Sequence, residues 1–290
     1  MYQVDVFTDR PLAGNPLAVF PQADGLSDAQ MQAIAREMNL SETTFVTAPE
    51  GGGDARVRIF TPVTELPFAG HPSVGTACTL VRLARVAAQE PVTRVILELG
   101  VGPTEVDVWV DGGVPTGAAV HQGPPLFGEE IPRAEAAAVL GLQESDLHDR
   151  LAPRVVATGL AYAIIPLRNP RTLARAWFDL RLLPEFESRY AELYPCALTG
   201  EDEPYAEARC FAPNAGIVED PATGSAAGPL AAYLAREGLL APGESRMLAQ
   251  GDYMGRPSRL RLSVSAVGGR LVDVLVGGGV VPVMEGDLVL

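Results

Sequence analysis

The chain has 290 residues, 47% of them hydrophobic, with 22 basic against 36 acidic side chains and a formal net charge of −14. That length suits two domains of ordinary size around well-filled cores, and the negative charge repels phosphate backbones and anionic bilayers, so neither nucleic acid nor a membrane is expected as a partner. Three cysteines, Cys78, Cys196 and Cys210, are odd in number and far apart, and none forms a C-x-x-C pair. Neither a disulfide framework nor a zinc site is therefore expected, and a reducing cytoplasm fits best. The opening "MYQVDVF" has no basic n-region followed by an apolar h-region, and no apolar run is long enough to span a bilayer, so the expectation is a soluble intracellular protein.

Short segments rich in β-branched and aromatic residues, punctuated by Gly and Pro, predict strands. In chain order they begin with "VDVFTD" (4–9) and "LAVFP" (17–21). A helix is predicted next over "SDAQMQAIAREMN" (27–39), where Ser27 and Gln30 form a capping-box signature and Met31, Ile34, Ala35 and Met38 share one face. Strands follow at "TTFVTA" (43–48), "ARVRIFTP" (55–62), "RVILELG" (94–100) and "EVDVWVDGG" (105–113), with "GGG" at 51–53 read as a flexible hairpin tip. A second helix is predicted at "RAEAAAVLGL" (133–142), strands at "AYAIIPL" (161–167) and "EARCFAP" (207–213), and a further helix over 226–237. The chain closes on "RLRLSVSAVGG" (259–269) and "RLVDVLVGGG" (270–279). Many strands with interspersed helices, without strict βαβ alternation, predict an α+β protein with antiparallel sheets.

The order of residues repeats. "RIFTPVTELPFAGHPSVGTACTLVRLAR" from Arg58 and "RCFAPNAGIVEDPATGSAAGPLAAYLAR" from Arg209 each run Arg-x-Phe-x-Pro, then an acid, a Pro, a Gly followed by a polar residue, and an Ala-rich helix. Two related halves are therefore expected, each with a strand entering a Gly-polar turn that opens a helix. The first N–H groups of a helix lack internal partners and carry partial positive charge, so such an opening attracts an anion such as a substrate carboxylate. Gly70 and Gly224 let backbone approach a ligand closely. The helices carry Gly75, Ala77 and Cys78 in one half and Ala226, Ala227, Gly228, Ala231 and Ala232 in the other. This smallness fits either a helix threaded through a curled sheet or an Ala-rich helix lying on a flat one.

In the motifs "FTDRPLAGNPLAVF", "NLSETTFV", "FTPVTELPFAGHPSVGTA", "EDPATGSAAGPLAAYL", "GRPS" and "EGDL", taken in order from residue 7 to the end, the chain resembles the PhzF-like family of phenazine biosynthesis. The resemblance implies a diaminopimelate epimerase-like fold: two pseudo-symmetric domains, each an antiparallel sheet curled around a central helix, with the active site between them and a homodimer as the usual assembly. It places the N-terminal half at 1–115, joined by a final strand at about 280–290, and the C-terminal half at 116–279. It also implies an isomerase that needs no cofactor. The Glu of "SETTF", Glu42, is then the general acid and base, while His71, Asp220, Ser225 and the backbone at Gly70 and Gly224 hold a small carboxylate-bearing substrate, of which dihydrohydroxyanthranilate is one candidate. Related epimerases use two opposed cysteines just before each Gly-polar turn. Those places here hold Ala69 and Pro221, which disfavours a two-thiol racemase.

Each residue has a plainer reading beside the functional one. Alternation puts Glu42 on one strand face with Leu40, Thr44 and Val46, as either a solvent-facing acid or a partly desolvated one whose raised pKa suits proton transfer. The residues alone favour solvent, and the resemblance favours catalysis. His71 can cap a helix or satisfy a turn, and no second His or carboxylate has metal-ligand spacing around it, so no metal is expected. Asp220 before Pro221 is a common turn former, and Ser225 suits a helix N-cap. His121 and His148 are expected at the surface, Arg256 is left outside the site as a loop residue, and "VGGG" at 276–279 lacks the spacing and following helix of a dinucleotide loop. A binding protein that keeps the cleft without turnover stands as the alternative to an isomerase.

Overall fold

The computed structural model describes residues 1–213 and 216–289 and gathers them into two units. Unit 1 takes Met1–His121, a short stretch ending at Ile217, and the chain from Val276 onward, while unit 2 takes Gln122–Pro213 and Val218–Leu275. In chain order unit 1 holds β1 (Tyr2–Val6), β2 (Asn15–Phe20), α1 (Asp28–Met38), β3 (Glu42–Thr47), β4 (Ala55–Phe60), β5 (Glu65–Leu66), α2 (Gly70–Arg82), β6 (Val92–Leu99), β7 (Gly102–Asp111) and β8 (Val114–His121). The chain continues through β9 (Leu126–Glu130), α3 (Arg133–Val139), β10 (Arg154–Ala157), β11 (Ala161–Leu167), α4 (Pro170–Arg175), α5 (Leu183–Arg189), β12 (Glu192–Leu198), β13 (Ala206–Ala208) and β14 (Cys210–Ala212). It ends with β15 (Ile217–Asp220), α6 (Gly224–Arg236), β16 (Ser245–Gln250), β17 (Ser258–Val267) and β18 (Arg270–Glu285).

The two units repeat one topology. In unit 1, β1 pairs antiparallel with β2, β2 runs parallel to β3, β3 antiparallel to β4, β4 parallel to β6, and β6, β7 and β8 follow as an antiparallel run. β18 pairs with both β8 and β1 and closes this ring. In unit 2, β9, β10 and β11 are antiparallel, β11 runs parallel to β12, β12 antiparallel to β13, β13 parallel to β16, and β16 antiparallel to β17. The sheets are thus mixed, where the sequence predicts antiparallel pairing. Each parallel pair spans a segment that carries a helix, because parallel neighbours cannot be joined by a hairpin: α1 lies between β2 and β3, α4 and α5 between β11 and β12, and the two Gly-opened helices between the other pairs.

Those two helices are the cores of their units. Every residue of α2 from Gly70 to Val81 is buried, and the helix touches β1, β2, β3, β6, β7 and β8. A Cβ added at Gly75 would stand 2.7 Å from Leu17 and 2.8 Å from Val6, so the surrounding strands leave no space for a larger residue. Thr76 and Thr44 share a hydrogen bond of 2.9 Å between their hydroxyls. α6 is likewise buried from Gly224 to Leu234, against β10, β11 and β17. Pro229 inside it removes the N–H that would reach the Ser225 carbonyl. A helix enclosed by strands is therefore the arrangement present, rather than one lying on a flat sheet.

The capping box of α1 forms as its spacing predicts, with Met31, Ile34 and Ala35 buried. Two surface expectations fail. The tip at 51–53 is pinned, because the Glu98 carboxylate accepts the N–H groups of Glu50, Gly51 and Gly53 at 2.6, 2.6 and 2.8 Å; bonded by these groups, beginning with the Glu50 N–H, the carboxyl titrates below its usual range. His121 and His148 are half-buried rather than at the surface. His121 Nε2 lies 3.1 Å from Asp107, and His148 Nδ1 accepts from the N–H groups of Arg150 and Leu151.

Candidate functional site

Glu42 is the first residue of β3 and only 9% exposed, which overturns the solvent-facing reading. The cause is that β3 is covered on both faces. Phe45 packs outward with Met31, Ile34 and Ala35 of α1, while Thr44 points inward to α2. Glu42 shares the inward face with Thr44 through strand alternation. There its Oε2 stands 3.5 Å from Nε2 of His71, the second residue of α2 and itself 3% exposed.

The tautomer of His71 follows from its other nitrogen. The amide nitrogen of Asn15, a fully buried side chain at the start of β2, lies 3.2 Å from His71 Nδ1. An amide NH2 can only donate, so Nδ1 accepts and the ring proton sits on Nε2, the nitrogen nearer Glu42. Burial pushes the imidazole pKa down to about 3, and the ring is neutral at physiological pH. Gly70, the first residue of the helix, follows Ala69, which makes no side-chain capping bond. The opening of α2 thus combines backbone donors, a neutral imidazole N–H and a buried carboxylate.

In unit 2 the corresponding turn is braced by Gln250. Asp220 ends β15 at 5% exposure, and its Oδ2 accepts the Thr223 hydroxyl at 2.6 Å. Gln250, 1% exposed, donates through Nε2 to the Asp220 carbonyl at 2.8 Å and to Thr223 Oγ1 at 3.0 Å. Its Oε1 accepts the Thr223 N–H at 3.2 Å and the Tyr194 hydroxyl at 2.8 Å. Both donor bonds and one acceptor bond of that amide go to the turn, and its second acceptor bond ties the turn to β12. Thr223, not Ser225, is the N-cap of α6; Ser225 is the second helical residue and bonds the Tyr162 hydroxyl at 2.8 Å. The Gly224 carbonyl accepts from Gln122 at 2.9 Å.

The adjacent acids Glu219 and Asp220 divide their labour. Glu219 pairs bidentately with Arg209 at 2.8 and 2.8 Å and has a structural partner, while Asp220 belongs to the turn. The Arg256 backbone N–H closes its own turn onto Gly251 at 3.0 Å. Sequence reading missed Asn15, Tyr162, Thr223 and Gln250. The first and third lie inside motifs quoted above, but nothing in their spacing marked them as supports.

Neither place at which the resemblance puts an epimerase thiol, Ala69 and Pro221, is a cysteine. The three cysteines are free and buried elsewhere, in α2, β12 and β14. Burial pushes Cys78 and Cys196 up to about 12 and Cys210 well above its ordinary range, so none is a ready nucleophile. Among the described residues no group of three or more His, Cys, Asp or Glu is arranged to hold a metal ion, and no helix is long and apolar enough to cross a membrane.

Comparison with known proteins identifies the family. Residues 4–286 match the family model PhzC-PhzF, phenazine biosynthesis-like protein. The chain is 38% identical over 283 residues to trans-2,3-dihydro-3-hydroxyanthranilate isomerase of Pseudomonas aeruginosa, covering 98% of this chain and 96% of that one. The crystal structure of the PhzF-family phenazine biosynthesis protein of Bacillus anthracis superimposes with a TM-score of 0.87 at 27% identity, over 100% of this chain and 98% of that one. A hydroxyproline epimerase from Agrobacterium vitis, at 15% identity and a TM-score of 0.68 over 98% of this chain and 90% of that one, shares the fold alone. The fold is the α+β diaminopimelate epimerase-like one, and the chain belongs to the phenazine biosynthesis-like PhzC-PhzF family.

Proposed function

We propose that this protein is a cofactor-independent isomerase that moves a proton between carbons of a small carboxylate-bearing metabolite, with Glu42 as its acid and base. The observation that carries this reading is the buried Glu42 carboxylate facing the Nε2–H of a neutral His71 at 3.5 Å. In the ionised form Glu42 accepts a proton from an activated carbon, and once protonated it returns that proton to another carbon. The imidazole beside the carboxylate does not itself exchange charge, because its pKa lies far below neutrality. Gly70 and His71 in unit 1 and Asp220, Gly224 and Ser225 in unit 2 are the proposed substrate-binding residues. The helix-opening N–H groups suit a carboxylate, and the hydroxyl and carboxylate of the second turn suit polar substituents.

The substrate class follows the relative whose name carries dihydrohydroxyanthranilate, one member of that class. Family membership supports a homodimer, and three free, reduced cysteines support a cytoplasmic location. Incubating the protein with a panel of such metabolites in deuterated water should place deuterium on substrate carbon, read by mass spectrometry. A panel that takes up no label would instead favour a binding protein, and sedimentation at micromolar concentration tests the dimer.

A further inference from the structure

Unit 2 carries a carboxylate where unit 1 carries Glu42. Thr43, the residue after Glu42, pairs with Phe60 of the Arg58-x-Phe60 string, and Leu193, the residue after Glu192, pairs with Phe211 of the Arg209-x-Phe211 string. The register therefore makes Glu192, the first residue of β12, the counterpart of Glu42, the first residue of β3. The parallel neighbours agree. Glu42 stands beside Leu17 of β2, and Glu192 beside Tyr162 of β11. Paired positions share a sheet face, and each neighbour reaches the central helix of its own unit: Leu17 crowds Gly75 of α2, and the Tyr162 hydroxyl bonds Ser225 of α6 at 2.8 Å. Ser225 holds in α6 the place that His71 holds in α2, the second residue of a helix of 13. Glu192 thus faces the opening of α6.

The groups around it are acidic or neutral. Glu187 of α5 and Asp220 of β15 act on Glu192, and Tyr162 of β11 and Cys210 of β14 feel its charge. Glu192 makes no salt bridge among the described residues. Burial first, then the charges of Glu187 and Asp220, push its carboxyl pKa up to about 7.

We propose that Glu192 sets how strongly the opening of α6 holds an anionic substrate: protonated, it offers a hydrogen-bond donor beside Asp220, and ionised, it adds a negative charge that repels the substrate carboxylate. This rests on the reading of Asp220, Gly224 and Ser225 as substrate-binding residues. The probe is anthranilate (2-aminobenzoate), titrated calorimetrically into the full chain. Its dissociation constant should rise about tenfold from pH 6 to pH 8 in the unaltered protein, since one titrating group with a midpoint between them changes binding by that factor when only its protonated form binds. In Glu192→Gln, which keeps shape and removes the titration, the change should stay under about twofold. An equal rise in both proteins, or none in either, overturns the proposal. So does a protein that binds no anthranilate at any pH, an outcome that leaves the proton shuttle to deuterium exchange.

A measurement without ligand checks the half-buried acid itself. A group whose folded pKa is raised contributes stability that is present below its unfolded pKa and lost as pH climbs through the folded value. Glu192→Gln should therefore gain in Tm over the unaltered protein at pH 8, with the gap closing toward pH 4. A gap independent of pH removes the basis of the proposal.

Discussion

Arg58 and Arg209 open the two copies of the repeat, and each makes a bidentate pair with the acid that follows, Glu65 in unit 1 and Glu219 in unit 2. Their surroundings differ. The Arg58 side chain is 19% exposed against a Glu65 that is 42% exposed, while Arg209 and Glu219 are 6% and 9% exposed. Arg209 also donates to the carbonyls of Leu173 and Ala176 at 3.3 and 2.7 Å and lies 4.8 Å from the Phe211 ring centre and 5.3 Å from that of Tyr253. The α4 region supplies those carbonyls, whereas its counterpart α1 meets Arg58 with the exposed Asp28 carboxylate at 2.6 Å. One inherited ion pair has thus become a surface link in one unit and a buried anchor in the other, directly beside Asp220.

The contrast between units can be broken most severely at the proposed proton carrier. Glu42→Gln should fold, retain carboxylate binding, and lose on the order of a hundredfold to ten-thousandfold of turnover. Deuterium entering substrate at an undiminished rate in folded Glu42→Gln would move the proton carrier to Asp220 or His71. The arginines come next. Arg209→Ala leaves a buried Glu219 without its cation and should lower unfolding stability by about 3–5 kcal/mol in urea titrations. Arg58→Ala should cost less than about 1 kcal/mol, as exposed pairs do; equal losses would erase the distinction.

Smaller effects sharpen the comparison. His71 is neutral when folded, with a pKa of about 3 against an unfolded value near 6.5. The unfolded chain therefore binds the extra proton first, and stability falls as pH drops from about 6.5 toward 3. In His71→Gln this acid limb should flatten by up to about 1.4 kcal/mol per pH unit, measured by denaturation at pH 7, 6 and 5. Parallel curves would show that the ring is charged when folded. Cys78→Ala should be mildest, costing about 1 kcal/mol for a small vacated volume and leaving turnover unchanged. Lost turnover in a folded variant would give that thiol a role.

Both Gly-opened helices were legible from sequence because Gly70–His71 and Gly224–Ser225 stand at matching places in a repeated string. The capping box of α1 was legible because its two partners are local. Burial of Glu42 was not, since alternation identifies its face but cannot reveal that this face turns onto α2. Parallel pairing was hidden for a related reason: turn residues announce hairpins between neighbours and carry no signal for strands that meet across a helix. β12 escaped because Pro195 interrupts its strand pattern, and with it went Glu192, which belongs to no motif and gains meaning only through register.

β18 imposes an order on how the protein can be made. Its residues from Val276 belong to unit 1, where Val280 and Val281 pair with Val6 and Asp5 of β1, and the Gly279 carbonyl receives the N–H of Phe7 at 2.7 Å. β1 therefore waits for β18, which is translated long after it. Until β18 has emerged from the ribosome, unit 1 holds β1 and β8 with open edges and cannot complete its ring, whatever the local stability of α1 or the β6–β7 hairpin. Contacts this distant in sequence slow folding and leave strand edges open to wrong partners during synthesis. Unit 2, whose residues lie within one nearly continuous stretch, has no such delay.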